Sequence, residues 1–297
     1  MQTATKKNVL VGLTVADAMR RQIIRLSASD TISQAIRCVI KFKVNAVLID
    51  TDAQQAVGVV SKTDLMSAYY AGFDLETPLE AIMVGPPTLC RPDDPLDEAL
   101  KCMQAHGVHR LYVKPDGPHP VTGVLAYPDI VGLLYRFCRR CEKSTTGRKQ
   151  GTAEEDWAEM LRVREVMTRK LIQAGRDQTL SEVMELLSAN RLGAVLVHDD
   201  TGLPLGVVSK TDLIVAYMHE SDPATVVAAD IMKRPPLACE ENDLLSETLW
   251  VMIYNDVYRM FVYRDRPENM VGVLSLSDVA RFRSGSCKAC LSSRIQL

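Results

Sequence analysis

Apolar positions along the chain follow two rhythms. After Asp30-Thr31, the residues Ile32, Ala35, Ile36 and Val39 recur at intervals of three and four, which is one face of a helix, and Asp30-Thr31 supplies a cap-forming start. A short apolar segment, Ile23 to Leu26, precedes this helix. Two β-type runs follow it, Ala46 to Ile49 and Val57 to Val60, separated by a polar turn, and a second helix is expected to begin near Thr63. The predicted order is strand, helix, strand, strand, helix.

This order recurs. Gly58-Val59-Val60-Ser61-Lys62-Thr63-Asp64-Leu65 returns 148 positions later as Gly206-Val207-Val208-Ser209-Lys210-Thr211-Asp212-Leu213. Met19 meets Met167 at the same shift, and Ala46-Val47-Leu48 meets Ala194-Val195-Leu196. At a shift of 149, Ile82-Met83 meets Ile231-Met232, Arg110 meets Arg259, and Gly123-Val124-Leu125 meets Gly272-Val273-Leu274. Each half divides again, because a glycine, two apolar residues, three variable residues and an aspartate recur four times, ending at Asp64, Asp129, Asp212 and Asp278. Four units are expected, at 9–72, 73–141, 157–221 and 222–290, with 142–156 as a linker and 291–297 as a tail. The linker Glu142 to Asp156 is polar and has no apolar period, while Trp157, Met160 and Leu161 stand at helical spacing and predict a short helix packed on the second half. Units this small bury a limited core alone, so pairing within each half is expected.

Composition narrows the function. Of 297 residues 47% are apolar and 24% charged, and 35 basic against 37 acidic residues leave a net charge of -2, which disfavours a nucleic-acid-coating surface. No apolar stretch approaches the roughly 20 residues that span a bilayer. The polar start, Met1 to Asn8, leads into no apolar core of signal type. The expectation is a soluble cytoplasmic protein without a nucleic-acid partner or membrane insertion. Eight cysteines in such a chain point to metal or redox chemistry rather than a disulfide framework.

The repeated Gly-Val-Val-Ser-Lys-Thr-Asp-Leu, with an Asp-Ala-Met or Glu-Val-Met opening before it, resembles the cystathionine β-synthase (CBS) domain. The resemblance implies an α/β (α+β) fold of four βαββα units. Two units would associate through their sheets into one Bateman module, and two pseudo-twofold modules would form a disc like the regulatory gamma subunit of AMP-activated kinase. It also implies clefts for adenosine compounds such as AMP, ADP, ATP or S-adenosylmethionine. In the family the aspartate of Ser/Thr-x-x-Asp takes the ribose, which carries over to Asp64 with Ser61, Asp212 with Ser209 and Asp278 with Ser275. Asp129 departs from the pattern, since Ala126 has no hydroxyl.

Geometry makes this plausible, because a carboxylate in the first turn of a helix can accept from ribose hydroxyls while the helix N-terminus faces phosphate. The same residues equally serve as helix caps. Phosphate needs local cations. The resemblance places His109, Arg110 and Arg259 toward it, with Asn45 and Gly193 as counterparts in the odd units. Lys62 and Lys210 either add charge or stand solvated, and Ile24, Thr88, Ile172 and Leu237 either line an adenine slot or belong to the core.

Cys138-Arg139-Arg140-Cys141 and Cys287-Lys288-Ala289-Cys290 both follow a motif aspartate by nine residues. Cysteines three apart share a helix face, so the two pairs could supply four thiolates to zinc or an iron-sulfur cluster, form a disulfide switch, or be inert relics of duplication. Cys38, Cys90, Cys102 and Cys239 read as small core residues.

The expected protein is therefore a regulator rather than an enzyme. It senses an adenine nucleotide, with a response open to modulation by a metal or redox state at the paired cysteines, and acts on an unidentified protein; its two modules close a disc alone, and a homodimer of such discs is equally allowed. The rival readings are a thiol- or metal-dependent redox enzyme and a ligand-free structural adaptor.

Overall fold

A computed structural model describes residues 12–51, 55–140 and 161–283, without the side chains of 134–140 and 281–283. The linker 142–156, the tail and the positions Trp157 and Met160 lie outside the described residues. Leu161 is buried against the fourth unit but is not helical.

The first unit shows how local sequence sets each element. Among the described residues helix α1 (Val15–Ala18) comes first, followed by β1 (Arg25–Ser27), α2 (Ile32–Lys41), β2 (Ala46–Asp50), β3 (Ala56–Ser61) and α3 (Lys62–Tyr70). Helix α2 starts where predicted, because the Thr31 side chain accepts from the Gln34 amide while the Gln34 side chain accepts from the Thr31 amide. Its face of Ile32, Ala35, Ile36 and Val39 is fully buried. Strand β1 pairs parallel to β2 and β2 antiparallel to β3. It begins later than the apolar run Ile23 to Leu26 predicts, since backbone register with Leu48 to Asp50 defines it.

The other units repeat the plan. The second has β4 (Leu89–Cys90), α4 (Leu96–His106), β5 (Arg110–Val113), β6 (Gly123–Ala126) and α5 (Tyr127–Arg140). The third has β7 (Gln173–Gly175), α6 (Leu180–Ala189), β8 (Ala194–His198), β9 (Pro204–Ser209) and α7 (Lys210–Met218). The fourth has a short opening helix α8 (Ala228–Ile231), then β10 (Ala238–Glu240), α9 (Leu245–Tyr254), β11 (Arg259–Arg264), β12 (Arg266–Ser275) and α10 (Leu276–Arg283). Each unit holds its own three-stranded sheet.

Within each half the opening segments are exchanged. Arg20, in the opening segment of the first unit before β1, forms a two-way backbone bridge with Val124 of the second, and Val84, in the opening segment of the second, bridges Val59 of the first. Thr168 with Val273 and Lys233 with Val207 repeat the exchange in the other half. The methionine just before each bridging residue lies over the motif glycine of the sheet it joins. A Cβ built on Gly58, Gly123, Gly206 or Gly272 would meet the sulfur of Met83, Met19, Met232 or Met167 at 2.8, 2.8, 2.9 or 3.1 Å. These glycines exist to admit the neighbouring segment.

Two large apolar cores span the halves. Helix α3 packs on α7 and α5 on α10, so one core joins the first and third units and another the second and fourth. The Tyr69 and Tyr217 rings stack at 4.7 Å, and their hydroxyls donate to the carbonyls of Ser221 and Phe73. Inside the first half the sheets meet through a smaller cluster of Leu48, Tyr112, Val121 and Val124, beside which Arg25 bridges Asp50 and the Val121 carbonyl. The four units thus touch in a closed cycle, with the larger cores across the halves rather than within them.

Candidate functional site

The last helix of each unit begins at the motif, and its cap explains the motif residues. The amide and hydroxyl of Ser61 donate to Asp64 Oδ2 at 2.7 and 2.6 Å, and those of Ser209 donate to Asp212 Oδ2 at 2.8 and 2.6 Å. Ser275 makes the same two bonds to Asp278 Oδ2. In the second unit only the Ala126 amide can donate, to Asp129 Oδ2 at 2.8 Å. All four aspartates therefore cap a helix, but capping engages one carboxylate oxygen and leaves Oδ1.

What stands on Oδ1 differs among the units. Arg20 Nε lies 2.7 Å from Asp129 Oδ1, and Lys233 Nζ lies 3.0 Å from Asp212 Oδ1. Among the described residues no donor stands on Oδ1 of Asp64 or Asp278. The cations occupy the bridging position of the exchanged segments, where Val84 and Thr168 stand in the other two units. Burial raises the Asp129 pKa, and Arg20 opposes that shift without overcoming it. Sequence reasoning missed Arg20 and Lys233. Their one signal is the place directly after Met19 and Met232, in the positions held by Val84 and Thr168 after Met83 and Met167.

Arg110 and Arg259 cross to the neighbouring sheet of their own half. Their Nη1 atoms donate to the carbonyls of Ala46 and Ala194, both at 3.2 Å. Strand register pairs Arg110 with Ala126 and Arg259 with Ser275, just as Ala46 pairs with Ser61 and Ala194 with Ser209. The counterparts of the arginines are therefore Ala46 and Ala194, not Asn45 and Gly193, which lie one residue earlier. Arg259 Nε is buried without a hydrogen-bond partner, and burial lowers the guanidinium pKa against the opposing pull of Asp278. Gly193 lies beside it, where a Cβ would stand 3.5 Å from Arg259 Nη1, an ordinary van der Waals contact. His109 is exposed and meets the Tyr127 ring edge-on at 5.5 Å.

Lys62 and Lys210 do not turn toward the carboxylates of their own units. Lys62 Nζ donates to Thr211 Oγ1 of the third unit at 2.9 Å, and Lys210 Nζ to Thr63 Oγ1 of the first at 2.7 Å. Each ammonium feels the partner unit's motif aspartate, Asp212 for Lys62 and Asp64 for Lys210. Ile24, Thr88 and Leu237 lend their carbonyls to Leu48, Tyr112 and Phe261, extending the sheets past their first strands. Ile24 and Ile172 also pack on the core of the first and third units, whereas Leu237 is exposed.

Of the paired cysteines, Cys138 lies on α5 and its side chain is not described, and Cys141, Cys287 and Cys290 fall outside the described residues. Among the described residues no group of three or more His, Cys, Asp or Glu side chains is placed to hold a metal ion. Cys90 and Cys239 are buried, which pushes both thiols up to about 12, and Cys38 and Cys102 are half-buried.

Four duplicated βαββα units, linked by exchanged segments and each opening its last helix on a carboxylate, define a tandem array of small α/β modules. The chain belongs to the CBS domain family, whose domain matches residues 15–71, 79–136, 163–219 and 227–285. The resemblance in the repeated motif thus holds along the chain. MK0525 of Methanopyrus kandleri is 24% identical over 118 residues, covering 39% of this chain and 60% of its own length. MJ1225 of Methanocaldococcus jannaschii is 22% identical over 200 residues, 67% of this chain and 68% of the relative. The crystal structure of MJ1225 superposes with a TM-score of 0.73 at 17% identity over 91% of this chain and 99% of that one. A conserved protein of Pyrococcus horikoshii superposes at 0.58 with 17% identity over 91% of this chain and its full length. Among the described residues no helix is long and apolar enough to cross a membrane.

Proposed function

We propose that this protein is a regulatory sensor of adenosine ligands of the AMP, ADP or ATP type. One observation carries the reading. Asp278 presents a carboxylate oxygen at a helix N-terminus while Arg259, close enough to feel its charge, holds a buried Nε with no partner. A buried cationic donor lacking an acceptor fits an anion, and the carboxylate beside it fits a diol. A nucleotide carries both groups on one molecule. The cysteine-based redox reading has no comparable support among the described residues.

A ligand at this place would touch the helix N-terminus of one unit and, through Arg259, the start of the central strand β8 of its neighbour. Binding would then bias how the two units sit, and α10 leads from that site to the core shared with α5 of the other half. The regulated protein would read this change. The test is calorimetry of the full chain with AMP, ADP and ATP. Micromolar binding by at least one, with one equivalent lost in Asp278→Ala and the same site weakened at least tenfold in Arg259→Met, is the expected result. Absence of binding by all three removes the proposal.

A further inference from the structure

We propose that Arg20 and Lys233 are built-in plugs that close the second and third units to a ribose diol, leaving one open site in each half, at Asp64 and Asp278. The inference rests on the nucleotide reading above and says which sites that reading applies to. Its ground is the division of labour on the motif carboxylates. In all four units the helix cap falls on Oδ2, through amide and hydroxyl in the first, third and fourth and through the amide alone in the second, so Oδ1 is the oxygen the cap leaves wholly uncommitted. In the second and third units that atom already holds a cation, and the carboxylate side chains are only 8% and 7% exposed, so no second face is available. A neutral diol would have to displace a charge-assisted bond from a nearly buried anion, and it offers a weaker bond in return.

The four positions are strictly comparable, because Arg20, Val84, Thr168 and Lys233 make the same two-way backbone bridge to the first residue of the motif's apolar pair. The backbone fixes the place and the side chain decides its use. Val84 has no donor, and Thr168 places none on Asp278. The second unit also differs in its motif, since Ala126 lacks the hydroxyl found in the other three. The third keeps its serine, so Lys233 alone distinguishes it from the open first unit at this position. The open units sit diagonally, one in each half and one in each of the two cores.

Arg20 and Lys233 side chains are 48% and 74% exposed, and their bridges use backbone atoms only, so replacing them should leave the fold intact. Native mass spectrometry and calorimetry of the full chain with AMP, ADP and ATP as probes provide the test. The wild type is expected to bind two equivalents and Lys233→Val three. Asp129→Asn and Asp212→Asn should leave the count at two, and Val84→Lys with Thr168→Lys should reduce it to zero. Binding of more than two equivalents by the wild type, an unchanged count in Lys233→Val, or loss of ligand in Asp212→Asn would overturn the plugs while leaving a nucleotide-binding protein. Binding by neither the wild type nor the Arg20→Val/Lys233→Val double variant would overturn both readings.

Discussion

Lys62 Nζ donates to Thr211 Oγ1 at 2.9 Å across the contact between the first and third units, and Lys210 returns the bond to Thr63. The repeated motif thus locks onto its own copy. Burial is the main cause that lowers the Lys62 pKa to about 8, Arg110 and Lys233 lower it further, and Asp256 and Asp212 oppose them. A lysine whose folded pKa lies below its unfolded value of roughly 10.4 weakens the fold while charged. The unfolded chain binds more protons between those two values, so this residue's contribution to stability rises with pH from about 8 to 10.4. Competitive amine labelling should show a half-point for Lys62 near pH 8, and wild type minus Lys62→Met stability should rise between pH 7.5 and 10. A half-point near that of free lysine would refute the burial.

The glycine and methionine pairs differ in what a methyl group meets. At Gly58 the nearest atoms all belong to the Met83 side chain, whereas at Gly272 the Thr168 carbonyl stands at 2.7 Å. Gly58→Ala and Gly272→Ala should each cost about 1–3 kcal/mol. In double-mutant cycles with Met83→Ala and Met167→Ala, the first pair should show the larger favourable coupling, because a side chain can be trimmed and a backbone cannot. Equal couplings would contradict the geometry.

Tyr69 and Tyr217 anchor the first unit to the third. Tyr69→Phe keeps the stack but leaves the Ser221 carbonyl without its partner, a loss of about 1 kcal/mol. Tyr69→Ala also removes the ring and should cost about 3–5 kcal/mol. Urea unfolding of the full chain distinguishes the two, and near-equal losses would show that the stack contributes little.

Cys90 and Cys239 should resist alkylation. With both thiols pushed up to about 12 by burial, neither forms appreciable thiolate at pH 8. Peptide-resolved iodoacetamide labelling should find them unmodified until the chain is unfolded. Rapid labelling of either in the native protein would be inconsistent with the core placement.

Much of this architecture was legible before any coordinates. The spacing of Ile32, Ala35, Ile36 and Val39 and the capping pair Thr31 and Gln34 determine α2 locally, and the four-fold string of a glycine, two apolar residues, three variable residues and an aspartate determines four equivalent helix starts. The family resemblance followed from those same residues. Strand β1 was misplaced because strand limits depend on which backbone atoms find partners, and an apolar run carries no record of register.

The tertiary structure decided what lies between units. No local pattern tells Arg20 that its segment will join the sheet of the second unit, or Lys62 that its ammonium will reach Thr211 instead of its own aspartate. Backbone bridges are indifferent to side-chain identity, so the exchange of opening segments leaves only a methionine and a glycine as traces in the sequence. The chain by itself determined four carboxylates at four helix N-termini. Packing decided which two carry a cation on that carboxylate among the described residues, because a charge pair forms wherever the fold brings a cation within reach of a nearly buried anion, at a sequence distance that spacing does not encode.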